Sequence, residues 1–374
     1  MRKEKRMIEE EATVLEDIFE DNEGDPKRLQ KIRNKINKKA GFNASFDLTE
    51  EEPPSKVQYW IPTGSRLLDS IIASRNYSTK PLGIPGARIS ELAACEGVGK
   101  TYLALQIAKN AIEMGMDVIY FDSESTTEGE FVKKIGCKAE NLIYVLAPSV
   151  EFVFETIKDL LGENKNKMLF IWDSLAATPC ESDIDSDFDP LSSLLQKSRV
   201  ITKGLQKLTI PLARHQSTML ILNQLKDNIT SNSIERMMEP YKTSGGKSLA
   251  YSYSLRVWLT PHRAKDSFVY DELKNKIGTE VSCLIKKNKF GTFGRSCSFQ
   301  IVWGSDGIAC VKDEESWLEP LKKSEYLISG GPWYTLKYAD GTEEKFQSIN
   351  WTEKLKDPKF RSRALELLDE VLIR

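Results

Sequence analysis

Residues 91–110 read ELAACEGVGKTYLALQIAKN and are the stretch of this chain best suited to hold a phosphate. Their spacing, A-x-x-x-x-G-K-T, matches the phosphate-loop pattern G-x-x-x-x-G-K-[ST] everywhere except the first position, where Ala94 stands in place of glycine. A phosphate cradle needs backbone N–H groups converging at the positive end of a helix, a lysine for the outer phosphates and a hydroxyl for Mg²⁺. Lys100 and Thr101 supply the lysine and the hydroxyl, Gly97 and Gly99 the backbone freedom, and residues 101–114 the helix. The loop Ala94, Cys95, Glu96, Gly97, Val98, Gly99, Lys100, Thr101 and Tyr102 is therefore expected to bind a nucleotide. Glycine is needed at its first position only if φ is positive there or a Cβ would clash. Alanine is the smallest departure, and the sequence alone leaves its effect open.

Three more polar residues end apolar runs. Asp173 follows MLFIW, where a carboxylate would hold the water shell of Mg²⁺. Glu124 ends VIYFDSE and could orient and deprotonate an attacking water. Gln224 ends MLILNQ, where an amide could sense a γ-phosphate. Taken singly, each is a weak signal, since a polar residue at a strand end is more often a helix cap or turn former. Taken in order, Lys/Thr, Glu, Asp and Gln form one constellation suited to ATP and Mg²⁺.

These residues need a sheet beneath them. The runs ARISELAA, DVIYFDSE, KMLFIWDS and TMLILNQ are short and nearly continuous in apolar character, as parallel strands buried on both faces are. TYLALQIAKNAIEMG, VEFVFETIKDLLG and PLSSLLQKSRVITKGLQKL lie between them with helical periodicity. The alternation predicts an α/β fold with a mostly parallel central sheet. VSCLIKKNKF and GRSCSFQIVW read as a closing antiparallel pair, and a small α+β module from about 311 ends in a helix with Leu365, Leu368 and Leu372 on one face. Ahead of the core, Ile8, Ala12, Leu15 and Phe19 mark one short helix and Leu29, Ile32 and Ile36 another. Seven basic residues and no acid lie between Lys27 and Lys39, which suits a solvated face or a contact with phosphates or an acidic neighbour. TEEEPPSK, residues 49–56, is a linker, so the expected division is a helical extension at 1–56, a core at 57–310 and a small domain at 311–374.

Composition narrows the function. A net charge of -2 excludes a globally basic nucleic-acid binder, while 53 lysines and arginines leave room for local basic surfaces. The six cysteines form no C-x-x-C pair and there are only two histidines, which argues against a zinc site and for free thiols in a reducing compartment. No apolar run approaches the roughly 18 residues that span a bilayer, and MRKEKRMIEEE is no secretory signal, so a cytoplasmic protein without a membrane partner is expected. One stretch stands apart: LKDNITSNSIERMMEPYKTSGG, residues 225–246, is long, polar and aperiodic, as functional loops are. Lys226, Arg236 and Lys242 could meet phosphates there, and Gly245 and Gly246 allow close backbone approach. Ile234, Met237 and Met238 either pack locally or wedge between bases.

From about residue 57 onward these motifs, in this order, resemble the RecA-type homologous recombinases, the bacterial RecA and phage UvsX-like strand-exchange ATPases. IPTGSRLLDSII and GIPGARISELAACEGVGKT resemble the approach to that family's ATPase core. FDSESTTEGEFVKKIG resembles its catalytic-glutamate segment, and FIWDSLAATP and ILNQLKDNI its magnesium and γ-phosphate strands. SGGKSLAYSYSLRVWL resembles the end of its second DNA loop, KKNKF and WGSDGI its last core strands, and GGPWYTLKY with INWTEKLKD its C-terminal domain.

The resemblance implies a RecA-like ATPase core that binds ATP and Mg²⁺ and assembles as a helical filament on single-stranded and double-stranded DNA, with single-strand-binding or mediator proteins as further partners. It implies Glu124 as general base, Lys100 and Thr101 on phosphate and magnesium, Asp173 on the magnesium shell and Gln224 as the link to the DNA loop. Lys287 and Lys289 would reach a neighbouring subunit's ATP, and Glu128 and Phe131 would contact the adenine. DNA contacts are implied for a first loop near 186–195, whose start is acidic, for Arg199, Thr202 and Lys207 on the following helix, and for the 225–246 loop.

The sequence departs from the family at Ala94, at Ala250 where a lysine is common, and in residues 1–50, whose GFNASFDL segment could dock on the next subunit's sheet. It ends on Ile373-Arg374 without an acidic tail, which would remove one regulatory brake. The expected function is a DNA-dependent ATPase of homologous pairing and strand exchange. Its alternatives are a ring helicase or mediator of the same fold, a non-hydrolysing DNA-coating protein and, more remotely, a small-molecule kinase.

Overall fold

The computed structural model describes residues 26–53, 56–72, 83–125, 127–184, 190–262, 267–271, 273–303 and 310–372. The helix expected around Ile8–Phe19, residues 186–189 of the first loop expected at 186–195, the WGSDGI turn beyond Trp303 and the terminal Ile373-Arg374 lie outside the described residues. The chain forms two compact units, residues 1–56 and 57–374. Among the described residues no helix is long and apolar enough to cross a membrane.

In the first unit, α1 (Pro26–Ala40) starts on proline, whose missing N–H costs nothing at a helix start, and ends at Gly41 in the left-handed region, φ 72°. Asn37 Oδ1 accepts from Ala44 N, Ser45 N and Ser45 Oγ, each at 2.9 Å, and so folds the following chain back on the helix.

The main elements of the second unit begin with α2 (Arg66–Ile72), β1 (Ile89–Ala94), α3 (Lys100–Glu113), β2 (Asp117–Asp122), α4 (Gly129–Lys134), β3 (Leu142–Leu146), α5 (Val150–Glu163), β4 (Met168–Asp173), α6 (Pro190–Arg214) and β5 (Thr218–Asp227). Next come α7 (Ser233–Met238), β6 (Tyr241–Thr243), α8 (Gly246–Ser252), β7 (Leu255–Pro261), β8 (Lys276–Asn288), β9 (Ser296–Val302) and β10 (Cys310–Lys312). The C-terminal part holds β11 (Leu327–Gly330), β12 (Trp333–Lys337), β13 (Glu343–Gln347) and α9 (Pro358–Leu372).

The strands β7–β1–β5–β4–β2–β3 are parallel neighbours in that order, and β8, β9 and β10 extend the sheet antiparallel beyond β7. The mostly parallel α/β core is as expected. Successive strand residues point to opposite faces. Leu92, Val118, Tyr120, Ile171 and Leu222 pack on one face with Leu103, Ala104 and Ile107 of α3. Ile89, Phe121, Phe170, Trp172 and Ile221 pack on the other with Phe154 and Ile157 of α5 and Leu205 and Leu208 of α6. Both faces are buried, which is why the strand sequences run apolar without alternation.

Some elements differ from the sequence expectation. β3 is not among the strands expected from the sequence, because its edge position leaves Ile143 and Leu146 58% and 60% exposed and no buried apolar run marks it. β5 continues past Gln224 to Asp227, because Leu225–Asp227 pair with Tyr241–Thr243 as a hairpin. The buried face of α9 is Phe360, Ala364, Leu367, Leu368 and Val371, so Leu365 and Leu372 sit at its margin. That face packs with Leu67 of α2 as well as with β11–β13. Asp313 strengthens this join: its Oδ2 accepts from Ser65 Oγ and Leu67 N, each at 2.8 Å, and its Oδ1 from Trp317 Nε1 at 2.9 Å.

Candidate active site

Ala94 is the last residue of β1, in register with Gln224 on β5 and Leu259 on β7. It is 2% exposed and packs in the core beneath α3. Among the described residues, left-handed φ outside glycine occurs only at Ala87, Ser125, Gln216 and Lys274, so nothing in the backbone at position 94 demands glycine. The demand falls three and five residues later. Gly97 and Gly99 have φ of 70° and 89°, and a Cβ at Gly99 would come within 2.7 Å of Ile301 Cδ1. Gly99 caps α3 without a side-chain acceptor, which leaves the helix N-terminus to an anion.

Asp173 is the hub of the site. Its Oδ1 lies 3.0 Å from Lys100 Nζ, and its Oδ2 accepts from Thr101 Oγ1 at 2.9 Å and from Tyr120 OH at 2.7 Å. Burial, then the Asp173 charge, holds the Tyr120 hydroxyl well above its usual pKa, so it stays a donor. The donor set of a hydroxyl and a carboxylate beside a lysine fits Mg²⁺ with phosphate. The Asp173–Ser174 peptide is cis. Ser174 Oγ donates to Glu124 Oε1 at 2.6 Å and so orients that carboxylate at the exposed rim. The turn carrying Glu124 is fastened by Asp122, which accepts from the backbone N–H of Glu124, Ser125 and Thr127 and from Tyr144 OH at 2.8–3.1 Å. Burial opposes the Asp122 charge, but these hydrogen bonds outweigh it and its pKa is lowered.

Residues 94–102 line a cleft of about 510 Å³ together with Glu124, Gln224, Leu225, Lys226 and Trp303. Thus Lys100, Thr101, Glu124 and Gln224 share one space, with Asp173 directly beneath. Phe131 stands one step back, edge-on to Tyr102 at 4.6 Å, and Glu128 is exposed at the start of α4. Trp303, which in the sequence only opens the motif WGSDGI, also borders the cleft, its ring 6.2 Å from that of Tyr102. The available signal was an aromatic residue directly after the strand SCSFQIV. Tyr120 and Ser174 were missed because each acts only through another side chain.

Lys287 and Lys289 are not among the residues lining this cleft. Lys287 Nζ donates to Ala250 O at 2.6 Å and Tyr251 O at 3.3 Å, and Lys289 is exposed. Burial, then the charges of Lys289 and Arg256, lowers the pKa of Lys287.

The 225–246 stretch is an ordered arm made of the β5–β6 hairpin and α7. Asn228 closes its root, with N donating to Pro240 O and Nδ2 to Glu239 O, both at 2.8 Å. Lys226 and Lys242 stand directly opposite each other, and Lys242 Nζ lies 3.5 Å from Glu235 Oε1. Arg236 is exposed, as are Ile234, Met237 and Met238 at 68%, 87% and 78%, so the apolar residues of α7 are not packed locally. Gly245 and Gly246 have φ of 96° and 73° where the arm rejoins α8. On α6, Arg199 and Lys207 are exposed, while the Thr202 hydroxyl donates to Ser198 O at 2.7 Å.

A parallel sheet with a glycine-bearing loop, lysine and hydroxyl at one strand end and a carboxylate at the next but one defines a nucleotide-binding α/β protein of the RecA-like class. The model of the RecA N-terminal domain matches residues 27–309, and the chain belongs to that family. The protein RecA of Fusobacterium nucleatum is 27% identical over 327 residues, covering 87% of this chain and 80% of that protein. The protein RecA of Bifidobacterium longum is 28% identical over 320 residues, with coverage of 84% and 74%. That of Streptomyces avermitilis is 26% identical over 312 residues, with coverage of 83% and 76%.

Proposed function

We propose that this chain is an ATP-hydrolysing DNA recombinase that assembles as a filament on single-stranded DNA and pairs it with a homologous duplex. The observation that carries this reading is the shared cleft. Lys100 and Thr101 meet Asp173 within 3.0 Å, Glu124 and Gln224 face the same space, and the basic arm begins at the next residues, Leu225 and Lys226.

In this reading Lys100 binds the outer phosphates, Thr101 and Asp173 hold Mg²⁺, and the loop from Ala94 to Tyr102 cradles the nucleotide. A magnesium ion held by Thr101 and Asp173 would supply positive charge to offset that of the phosphate oxygens. Glu124, oriented by Ser174, takes the proton of the attacking water, and Gln224 relays the presence of the γ-phosphate to the arm. Phe131, Glu128 and Trp303 bound the base. Lys226, Arg236, Lys242 and the glycines 245 and 246 meet the DNA backbone, joined by Arg199, Thr202 and Lys207. Binding is then mostly to phosphates and depends on salt.

Lys287 and Lys289 act on the neighbouring copy's nucleotide, a role supported by their place away from their own cleft. The exposed Ile143 and Leu146 on edge strand β3 offer a seat for residues 41–48 of a neighbouring copy. The division at 56 and 310 then separates an assembly segment, the ATPase core and an accessory domain.

ATP hydrolysis with and without single-stranded DNA tests the proposal. Strong stimulation by DNA, lost in Glu124→Gln and in Lys287→Ala, is the expected result. No hydrolysis under any condition, with normal DNA binding, would make the chain a DNA-coating protein. Closed hexameric rings in electron micrographs would make it a ring motor.

A further inference from the structure

Beneath the root of the arm lies a buried polar cluster to which the roles above assign nothing. Glu91 on β1 is 1% exposed. Its Oε1 accepts from Asn223 Nδ2 at 3.0 Å and its Oε2 from Arg256 Nε at 2.5 Å. Asn223 is fully buried; its Oδ1 accepts from the backbone N–H of Gln224 at 2.9 Å, and its Nδ2 also donates to Ser244 O at 3.1 Å. Arg256, 9% exposed, donates through Nη2 to Thr243 Oγ1 at 2.9 Å. Its guanidinium lies 5.8 Å from the ring of Tyr253 and 5.7 Å from that of Trp258. The neighbouring strands β5, β1 and β7 thus each give one polar residue to a single sheet face, and two of the three hold the return leg of the arm.

A buried ion pair is a poor way to gain stability, because desolvating both charges consumes most of their attraction. Here the pair has a specific geometric consequence. The strand residue that presents its side chain to the cleft, Gln224, and the residues that close the arm, Thr243 and Ser244, are fastened to the same carboxylate through one intervening side chain on each path.

We propose that Glu91, Asn223 and Arg256 are positioning residues that clamp the return leg of the arm to the strand bearing Gln224, so that nucleotide state and arm conformation are coupled through this cluster. The identity of the two ligands rests on the proposed function, whereas the clamp itself rests on the geometry.

Two readouts separate them. The first is trypsin cleavage at Arg236 and Lys242 of the full chain with ADP or a non-hydrolysable ATP analogue. Cleavage of the wild type should depend on the nucleotide, and Glu91→Gln, which keeps size and the Asn223 acceptor but removes the charge facing Arg256, should lose that dependence. The second is ATP hydrolysis. Glu91→Gln and Arg256→Lys should keep the DNA-free rate and the KM for ATP within about twofold, while stimulation by single-stranded DNA falls roughly tenfold, a typical size for coupling between two sites. Thr243→Val removes only the arm's half-buried hydroxyl and serves if the core variants fail to fold; it should show the same loss in weaker form.

A wild-type arm cleaved equally with either nucleotide overturns the clamp, and so does a folded Glu91→Gln protein with wild-type nucleotide dependence. DNA stimulation that is normal in both Glu91→Gln and the wild type overturns the clamp and leaves the recombinase reading standing. Nucleotide-dependent cleavage lost in the variant, in a protein that never hydrolyses ATP, upholds the clamp and overturns that reading.

Discussion

At the scale of single residues, the site depends on which atoms have room and which have partners. Ala94 shows this for the backbone: it sits in a strand with its Cβ in the core, so the loop can be complete without glycine there. Ala94→Gly should therefore leave the kcat for ATP within about twofold while lowering stability by roughly 0.5–1 kcal/mol, the entropic cost of glycine within a regular element. A large gain in turnover with unchanged melting temperature would contradict this. Asp173 shows it for side chains, since three donors converge on one carboxylate. Tyr120→Phe removes one of them and should raise the Mg²⁺ concentration needed for half-maximal hydrolysis several-fold, with little change at saturating Mg²⁺; a Mg²⁺ titration decides. Trp303→Ala removes a wall of the cleft rather than a reacting group, so KM for ATP should rise with kcat nearly unchanged, the pattern of lost uniform binding.

At the scale of elements, the arm is the part whose order depends on few contacts. Asn228 makes both backbone bonds that close its root and is 2% exposed. Asn228→Ala keeps the backbone bond to Pro240 but leaves the Glu239 carbonyl without its side-chain donor, a loss of about 1 kcal/mol confined to this hairpin. Single-stranded DNA affinity should fall while DNA-free hydrolysis stays normal, and a matched loss of both would place Asn228 in the core instead. Lys226 and Lys242 face each other across the hairpin, and each phosphate contact contributes about one to the logarithmic salt dependence of DNA binding. Lys242→Ala should weaken binding to every sequence alike and flatten that slope by about one; an unchanged slope would remove the residue from the interface.

At the scale of the whole molecule, α2, which packs against the C-terminal part, carries a buried acid of its own. Asp69 is 5% exposed, and burial pushes its carboxyl up to about 7 despite the hydrogen bonds from Thr63. Its unfolded value lies near 3.9. Between roughly pH 4 and 7 the folded chain therefore keeps a proton that the unfolded chain has lost, and this group's stabilisation is greatest at low pH and declines as pH rises to about 7. Asp69→Asn abolishes that slope. Melting temperatures of the variant and the wild type should diverge in the variant's favour between about pH 5 and about pH 7.5, and parallel curves would show that Asp69 is ionised in the fold.

Much of this organisation is legible in the linear chain because it depends on near neighbours. The strand runs, the helix after Lys100 and the polar residues at strand ends follow from local patterning, and a parallel sheet necessarily gathers such ends along one edge. The sequence by itself determined the α/β class and marked Lys100, Thr101, Glu124, Asp173 and Gln224 as candidates for one site. Only the tertiary structure decided that Ala94 needs no left-handed backbone, that Tyr120 and Ser174 set the carboxylates, that Trp303 borders the cleft, and that residues 225–246 fold as a hairpin arm over Glu91 and Arg256. Each of those depends on pairs far apart in sequence, such as Glu91 with Arg256, whose meeting is set by strand order and register and leaves no local periodicity to read.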